Sequence, residues 1–254
     1  MKNKISMSTL RGFSVADSVK FALECGFDGL EIQTDYLSGE DEIRKALNAG
    51  LDVSLHAPCG DINISALNKG ICQESVNQVK LAIDLASKFN LRVVTFHPGR
   101  LSSARENITD KWELLLESVQ DIADYAKERK VYIAIENMEL RKKELVFSVD
   151  DLNKFEFISK NNIYFGVTLD FSHFATNKIY PQNITGLRLP VYNVHISQCV
   201  GGKPHFPLYD AGEIEMPDVI KILGNYNSSL VVELKSVFDR EVYINSRKEL
   251  LKLK

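Results

Sequence analysis

The chain alternates short apolar, strand-like runs with segments of helical periodicity, and this alternation constrains the fold more than any other feature. Strands that alternate with helices favour a parallel sheet, and eight of them in about 250 residues are typical of a barrel. Because no glycine-rich turn follows the first run, a doubly wound open sheet is the weaker alternative. We therefore predict an α/β fold, a (β/α)8 TIM barrel that forms a single domain over residues 1–254. The predicted strands are residues 4–9, 29–34, 53–58, 93–99, 132–138, 164–172, 191–197 and 230–236.

Capping residues mark where several helices should begin. Ser14, Asp110 and Ser148 each stand three residues before an acidic residue, a spacing typical of helix N-termini. After the sixth strand the pattern is weaker, and residues 184–189 support only one short helical turn. The helix after the fourth strand has a clear apolar face, formed by Trp112, Leu115, Leu116, Val119, Ile122, Ala123 and Ala126.

Composition excludes several classes of protein. The chain is 44% hydrophobic, which excludes disorder as its main state. Its 31 basic and 34 acidic residues give a net charge of −3, which argues against binding to DNA or membrane through bulk charge. No apolar run reaches the roughly 20 residues of a membrane span, and the N-terminus does not resemble a signal peptide. We expect a cytoplasmic protein with reduced, buried cysteines at Cys25, Cys59, Cys72 and Cys199.

The third to eighth strands carry a second pattern with a period of two. One set of alternate residues is large and apolar and should face the helices. The other set is small or polar, should point into the barrel, and ends each time in an ionisable residue. In a barrel these last residues lie at the C-terminal rim, where enzymes of this fold carry their active sites. They are His56, His97, Glu136, Asp170, His195 and Glu233.

Three carboxylates and three imidazoles at one mouth would be costly to bury unless a cation compensates them. Salt bridges would explain any one of these residues alone, but a divalent metal ion explains the set. His173 and His205 map to the same rim, the second within the loop 198–216. Four further residues are candidates for substrate binding, although Lys235 could be solvated and Glu31 could instead pair with a basic group. These candidates are Lys235, Arg100, Lys203 and Glu31.

Short motifs in the same order resemble the xylose-isomerase-like TIM-barrel superfamily. They are Cys-Gly-Phe-Asp-Gly-Leu-Glu-Ile (25–32), Leu-His-Ala-Pro (55–58), Phe-His-Pro-Gly (96–99), Ile-Glu-Asn (135–137), Leu-Asp-Phe-Ser-His (169–173), Val-His-Ile-Ser (194–197) and Val-Val-Glu-Leu-Lys (231–235). The resemblance extends over residues 2–238 and covers sugar isomerases and epimerases, inosose dehydratases and the endonuclease IV type of apurinic-site nuclease.

The resemblance implies a different metal set in each of two branches. In the epimerase branch, residues matching Glu136, Asp170, His195 and Glu233 hold one divalent ion, such as Mn²⁺, Mg²⁺, Co²⁺ or Zn²⁺, and Glu136 and Glu233 also transfer protons. In the endonuclease IV branch there are three zinc ions. The first is held by His56, His97 and Glu136, the second by the same four residues as above, and the third by His173 and His205.

The sequence departs from both patterns. Lys203 replaces an aspartate of the third zinc site, Gln198 replaces an acidic residue expected in both branches, and Gly201 replaces an arginine of the epimerases. Few arginines lie in the predicted rim loops, which together with the charge of −3 disfavours a nuclease.

We predict a metal-dependent isomerase or epimerase that acts on a small sugar, sugar phosphate or related polyhydroxy carbonyl compound through an enediolate. The alternatives are an endonuclease IV-like, zinc-dependent phosphodiester hydrolase and a barrel that binds a ligand without catalysis. We expect a small-molecule substrate and no membrane partner, with nucleic acid a partner only for the hydrolase. A homo-oligomer is compatible with this prediction.

Overall fold

Eight parallel strands close into one barrel, as predicted. The computed structural model describes residues 4–103, 105–224, 226–235 and 237–252, so Ser236, at the end of the eighth predicted strand, lies outside the described residues. The barrel strands are β1 (Ile5–Ser8), β2 (Gly29–Gln33), β3 (Asp52–His56), β4 (Val94–Phe96), β5 (Ile133–Glu136), β6 (Phe165–Asp170), β7 (Val191–Ile196) and β10 (Leu230–Val232). Neighbouring strands pair in parallel, and β1 closes the barrel against β10.

An antiparallel hairpin of β8 (Gln198–Val200) and β9 (Lys203–Phe206) stands outside the barrel. It lies in the segment 198–216 that the sequence analysis treats as a loop, so that expectation was incomplete. Gly201 and Gly202 form its two-residue turn with φ of 58° and 70°. Positive φ at both central residues is typical of a tight hairpin turn and is easiest for glycine.

Helices connect successive barrel strands, and a last helix follows β10. They are α1 (Val15–Glu24), α2 (Glu40–Asn48), α3 (Lys69–Phe89), α4 (Ile108–Arg129), α5 (Val149–Asn153), α6 (Glu156–Asn161), α7 (Phe171–Thr176), α8 (Met216–Leu223) and α9 (Arg240–Lys252). Within the described ranges, none of them combines the length and the apolar character that crossing a membrane requires.

Two of the three predicted helix caps are confirmed. The Ser14 and Ser148 hydroxyls each accept a hydrogen bond from the backbone N–H three residues later. The prediction for Asp110 was wrong, because α4 begins at Ile108 and its cap is Asn107. Asp110 lies inside the first turn, where its carboxylate accepts a hydrogen bond of 3.0 Å from the Asn107 amide.

The prediction of a helical turn at residues 184–189 was also wrong. The α-helix between β6 and β7 is α7, which begins directly after Asp170. A 3-10 turn spans Pro181–Asn183, and residues 184–189 are not helical. Asp170 starts this helix because its Oδ1 accepts a hydrogen bond of 2.8 Å from the His173 backbone N–H. A side chain at the end of a strand therefore also fixes the loop that follows it.

Polar side chains from several strands meet inside the barrel, as the period of two predicts. The Asn193 amide donates hydrogen bonds to Glu31 (2.7 Å) and Thr95 (2.9 Å). Thr95 and Thr168 are also hydrogen-bonded (2.9 Å), and Ser54 donates to Glu31 (3.1 Å). The apolar alternate residues pack in the surrounding hydrophobic core. This register places the last residue of each strand at one rim of the barrel.

Candidate metal centre

Six adjacent strand ends supply the side chains of the rim. Parallel strands present all their C-terminal ends on one side of a barrel, so residues distant in sequence become neighbours there. His56, Glu136 and Asp170 are the last residues of their strands. His195 lies one residue before the end of β7, while His97 and Glu233 directly follow β4 and β10.

Glu136 lies at the centre of this cluster and is 1% exposed. Its Oε1 lies 2.9 Å from Nδ1 of His195, and its Oε2 lies 3.3 Å from Nε2 of His56 and 3.1 Å from Nε2 of His97. Burial raises the pKa of Glu136, but the charge of His195 and hydrogen bonds from the three imidazoles outweigh burial and hold that pKa well below its usual value. The carboxylate is therefore ionised at neutral pH.

His195 has a carboxylate at each of its ring nitrogens. Nε2 lies 2.7 Å from Oε1 of Glu31, while Nδ1 lies 2.9 Å from both Glu136 and Glu233. Burial lowers the pKa of His195, but the charges of Glu136, Glu31 and Glu233 raise it well above its usual value. One N–H cannot donate fully to two carboxylates, so the position between Nδ1 and these oxygens favours a cation.

A third group of side chains lies beside Asp170. Nε2 of His173 is 3.2 Å from Nε2 of His205, and the other nitrogen of His173 lies 2.9 Å from the Asn137 carbonyl oxygen. Within the described residues, Oδ2 of Asp170 and Nδ1 of His205 are buried without a hydrogen-bond partner. Buried polar atoms normally have partners, so these two atoms are candidates for ligation.

The rim side chains fall into three groups whose nitrogen and oxygen atoms could each hold a metal ion. In every group the atoms lie within 4.8 Å of one another, and neighbouring groups share Glu136 or Asp170. Mixed imidazole and carboxylate ligands suit divalent transition metals and magnesium. The groups are His56, His97 and Glu136; Glu136, Asp170, His195 and Glu233; and Asp170, His173 and His205. The structure thus brings together all eight predicted ligands.

The candidate substrate-binding residues divide between two places. Lys203, Lys235 and Arg100 line a cavity of about 800 Å³ that opens over the rim and also contacts Glu233 and His173. Glu31 is only 1% exposed and lies behind His195, with hydrogen bonds from Ser54 and Asn193. Of the two alternatives considered for Glu31, this position favours pairing with a basic group, here His195, over contact with a substrate.

Two departures from the family patterns have structural explanations. Gln198 is buried, and its Oε1 accepts a hydrogen bond of 3.0 Å from the Ile214 N–H while its amide donates to the Ile214 carbonyl oxygen. It therefore joins the hairpin to the segment before α8. Gly201 forms the hairpin turn, where a long side chain at positive φ would be strained.

Sequence reasoning did not single out Asn137, which shapes the site. Asn137 joins two strand ends, because its amide donates to the Asp170 carbonyl oxygen and its Oδ1 accepts from the Asp170 N–H, both at 2.9 Å. The sequence signal that could have identified Asn137 is its place in the Ile-Glu-Asn motif, directly after Glu136.

The expectation that all cysteines are buried was wrong for two of them. Cys25 and Cys199 are buried, whereas Cys59 and Cys72 are only partly buried. Cys59 lines the cavity over the rim, and the Gln33 amide lies 2.7 Å from its Sγ. Burial raises the pKa of the Cys59 thiol to about 12. Cys59 follows the end of β3 by three residues and therefore remains close to the rim.

Fold and site together define an α/β barrel with a cluster of prospective metal ligands at its C-terminal rim. The family model described as "Xylose isomerase-like TIM barrel" matches residues 19–252. The chain therefore belongs to this family, which confirms the resemblance seen in its motifs.

Two curated relatives come from Methanocaldococcus jannaschii. The chain is 26% identical to the uncharacterised protein MJ1614 over 239 residues, which covers 93% of this chain and 90% of the relative. It is 27% identical to the uncharacterised protein MJ1188 over 176 residues, and this match covers 69% of this chain but only 63% of the relative.

Solved structures show the same fold. A D-tagatose 3-epimerase-like protein superimposes with a TM-score of 0.86 and 22% identity, covering 98% of this chain and 96% of that chain. The 3-keto-D-glucoside 4-epimerase YcjR from E. coli superimposes with a TM-score of 0.81 and 16% identity, covering 99% of this chain and all of the other.

Proposed function

We propose that the protein is a metal-dependent isomerase or epimerase of a small sugar or a related polyhydroxy carbonyl compound. The observation that carries this proposal is the meeting of Glu136 and Glu233 at Nδ1 of His195, each at 2.9 Å. Two carboxylates on either side of one cation position supply the two proton-transfer groups that such a reaction needs. The structural neighbours include proteins described as epimerases, which supports the same reaction class.

Glu136, Asp170, His195 and Glu233 would hold the metal ion. When bound, such an ion polarises the carbonyl and hydroxyl oxygens of a substrate. Glu233 lines the cavity, and its side chain is 23% exposed, whereas Glu136 is almost fully enclosed. We therefore assign to Glu233 the removal of the proton from the carbon next to the carbonyl group. Glu136 is ionised at rest and must first take up a proton, which His97, 3.1 Å away and 27% exposed, can relay from solvent. Glu136 then gives this proton to the enediolate of the substrate, and Glu233 releases the proton it removed to solvent, so both carboxylates end ionised as they began.

Solvent isotope incorporation tests this proposal. Incubation of the metal-loaded protein with a panel of ketoses and their phosphates in heavy water should place deuterium on the carbon next to the carbonyl group. Glu233→Gln should abolish the label, while Glu113→Gln, an exposed position on α4, should leave it unchanged. Turnover without deuterium label would contradict proton transfer. A ligand that the wild type binds without turnover, and that Glu136→Gln and Glu233→Gln still bind, would indicate a binding protein.

A metal-dependent phosphodiester hydrolase of the endonuclease IV type is the second candidate. The observation that favours it is the presence of three adjoining ligand groups, since clusters of metal ions activate water and clamp phosphodiesters. Such an enzyme should bind a duplex with an abasic site, and its affinity should fall steeply with salt. Cleavage of that duplex by the metal-loaded protein would replace the first proposal with this one.

A further inference from the structure

The outer wall of the cavity over the rim is basic, although the whole chain has a net charge of −3. Besides the prospective metal ligands, the charged residues on this wall are five basic and two acidic ones. The acidic residues are Glu139 and Glu144, and the basic residues are Arg11, Arg100, Arg141, Lys203 and Lys235. Positive charge is therefore concentrated beside this opening to the site.

Lys203 and Lys235 differ from Arg141 in their ion pairing. Arg141 lies 2.6 Å from Glu139. Arg100 forms a backbone bridge to Glu144. Burial raises the pKa of Glu144, and the charge of Arg100 only partly offsets this rise. Within the described part of the chain, neither Lys203 nor Lys235 forms an ion pair. The ammonium groups of both lysines are therefore available to bind an anion.

The hairpin and the end of the last barrel strand place both lysines next to the metal ligands. Lys203 is exposed at the start of β9, two residues before His205. The Lys235 backbone N–H donates a hydrogen bond of 3.2 Å to the His205 carbonyl oxygen, and its Nζ lies 4.0 Å from the centre of the Phe206 ring. Stacking on an aromatic ring restrains an ammonium group without neutralising its charge.

We propose that the substrate carries a phosphate monoester and that Lys203 and Lys235 bind this phosphate at the edge of the cavity. A phosphate monoester carries nearly two negative charges at neutral pH, and it matches the surplus of positive charge on the wall better than a singly charged carboxylate. This inference rests on the proposed function and narrows its substrates to phosphorylated sugars. Lys203, which replaces the aspartate of the third zinc site, thereby changes that position from binding a cation to binding an anion.

Binding of inorganic phosphate tests this subsite without any turnover. Calorimetric titration is carried out on metal-free and on metal-loaded protein, because a metal ion can itself bind phosphate. We expect the wild type to bind phosphate in both forms, and the double variant Lys203→Met/Lys235→Met to bind it at least tenfold more weakly in both. Lys20→Met, which removes the same charge from an exposed position on α1, should have the wild-type affinity.

Three outcomes would overturn the proposal. They are the absence of phosphate binding, equal binding by the double variant, and binding of acetate as tight as that of phosphate. If the double variant fails to fold, Lys203→Met alone preserves the test because this side chain is exposed. Phosphate binding without deuterium incorporation into any sugar or sugar phosphate would overturn the proposed function and leave the phosphate subsite standing, so the two failures can be distinguished.

Discussion

Oε1 of Glu31 lies 2.7 Å from Nε2 of His195 and completes a hydrogen-bonded column that runs through the barrel interior. Below it, Asn193 donates to Glu31 and its own oxygen accepts a hydrogen bond of 3.0 Å from Arg92. When a metal ion binds Nδ1, which faces the carboxylates of Glu136 and Glu233, Glu31 would keep the remaining proton of His195 on Nε2. A carboxylate behind a metal-binding histidine fixes the orientation and tautomer of its ring.

The first prediction concerns this positioning by Glu31. Glu31→Gln keeps the size of the side chain but removes the charge opposite His195. We expect the affinity for a divalent metal ion to fall about 10-fold to 100-fold, the range seen when such supporting groups are lost. Competitive titration with a metal-sensitive chelator measures this affinity. Glu113→Gln serves as the control, and a wild-type affinity in Glu31→Gln would show that the column does not support the site.

The second prediction separates one metal ion from several. His205 has a φ of 66°, and asparagine tolerates this backbone conformation while being a much weaker metal ligand than imidazole. Since His205 is outside the group of Glu136, Asp170, His195 and Glu233, the isomerase proposal predicts the same number of ions per chain in His205→Asn as in the wild type. Elemental analysis of both proteins gives this number. The loss of one ion would favour the hydrolase.

The third prediction concerns thiol chemistry at the rim. Burial raises the pKa of Cys59 to about 12, against about 8.5 for a free thiol, so the folded protein holds this thiol in its unreactive protonated form at pH 8. Alkylation of Cys59 by iodoacetamide should therefore be much slower at pH 8 than in urea-unfolded protein, and it should still accelerate above pH 10. Peptide mass spectrometry follows the modified residue. Equal rates in folded and unfolded protein would contradict the burial of this thiol.

The sequence was sufficient to predict the barrel and which ionisable side chains meet at its rim, because both depend on repeating patterns. Strand and helix alternate along the whole chain, and the period of two within each strand decides which side chains enter the barrel. His56, Glu136 and Asp170 are each the last residue of a parallel barrel strand, so their meeting at one rim follows from the topology alone.

Local competition and distant contacts account for what the sequence did not predict. Asn107 and Asp110 both offer a capping oxygen, and only the geometry of the loop decides that Asn107 caps α4. Gly201 and Gly202 are a local signal for the hairpin, but only Gly201 enters the sequence analysis, and there as a departure from a family pattern. The contact of Gln33 with Cys59 joins residues 26 positions apart and exists only after β2 and β3 pair.

The central claim is that the rim of the barrel holds a divalent metal ion for catalysis, and the metal content of the purified protein tests it most directly. Protein prepared without chelators is analysed by inductively coupled plasma mass spectrometry, together with Asp170→Asn and with Asp121→Asn as an exposed control. We predict at least one divalent ion per chain in the wild type and the control, and a clear loss in Asp170→Asn. Wild-type protein that carries no divalent ion, and takes none up when Mn²⁺, Mg²⁺, Co²⁺ or Zn²⁺ is supplied, would contradict the account.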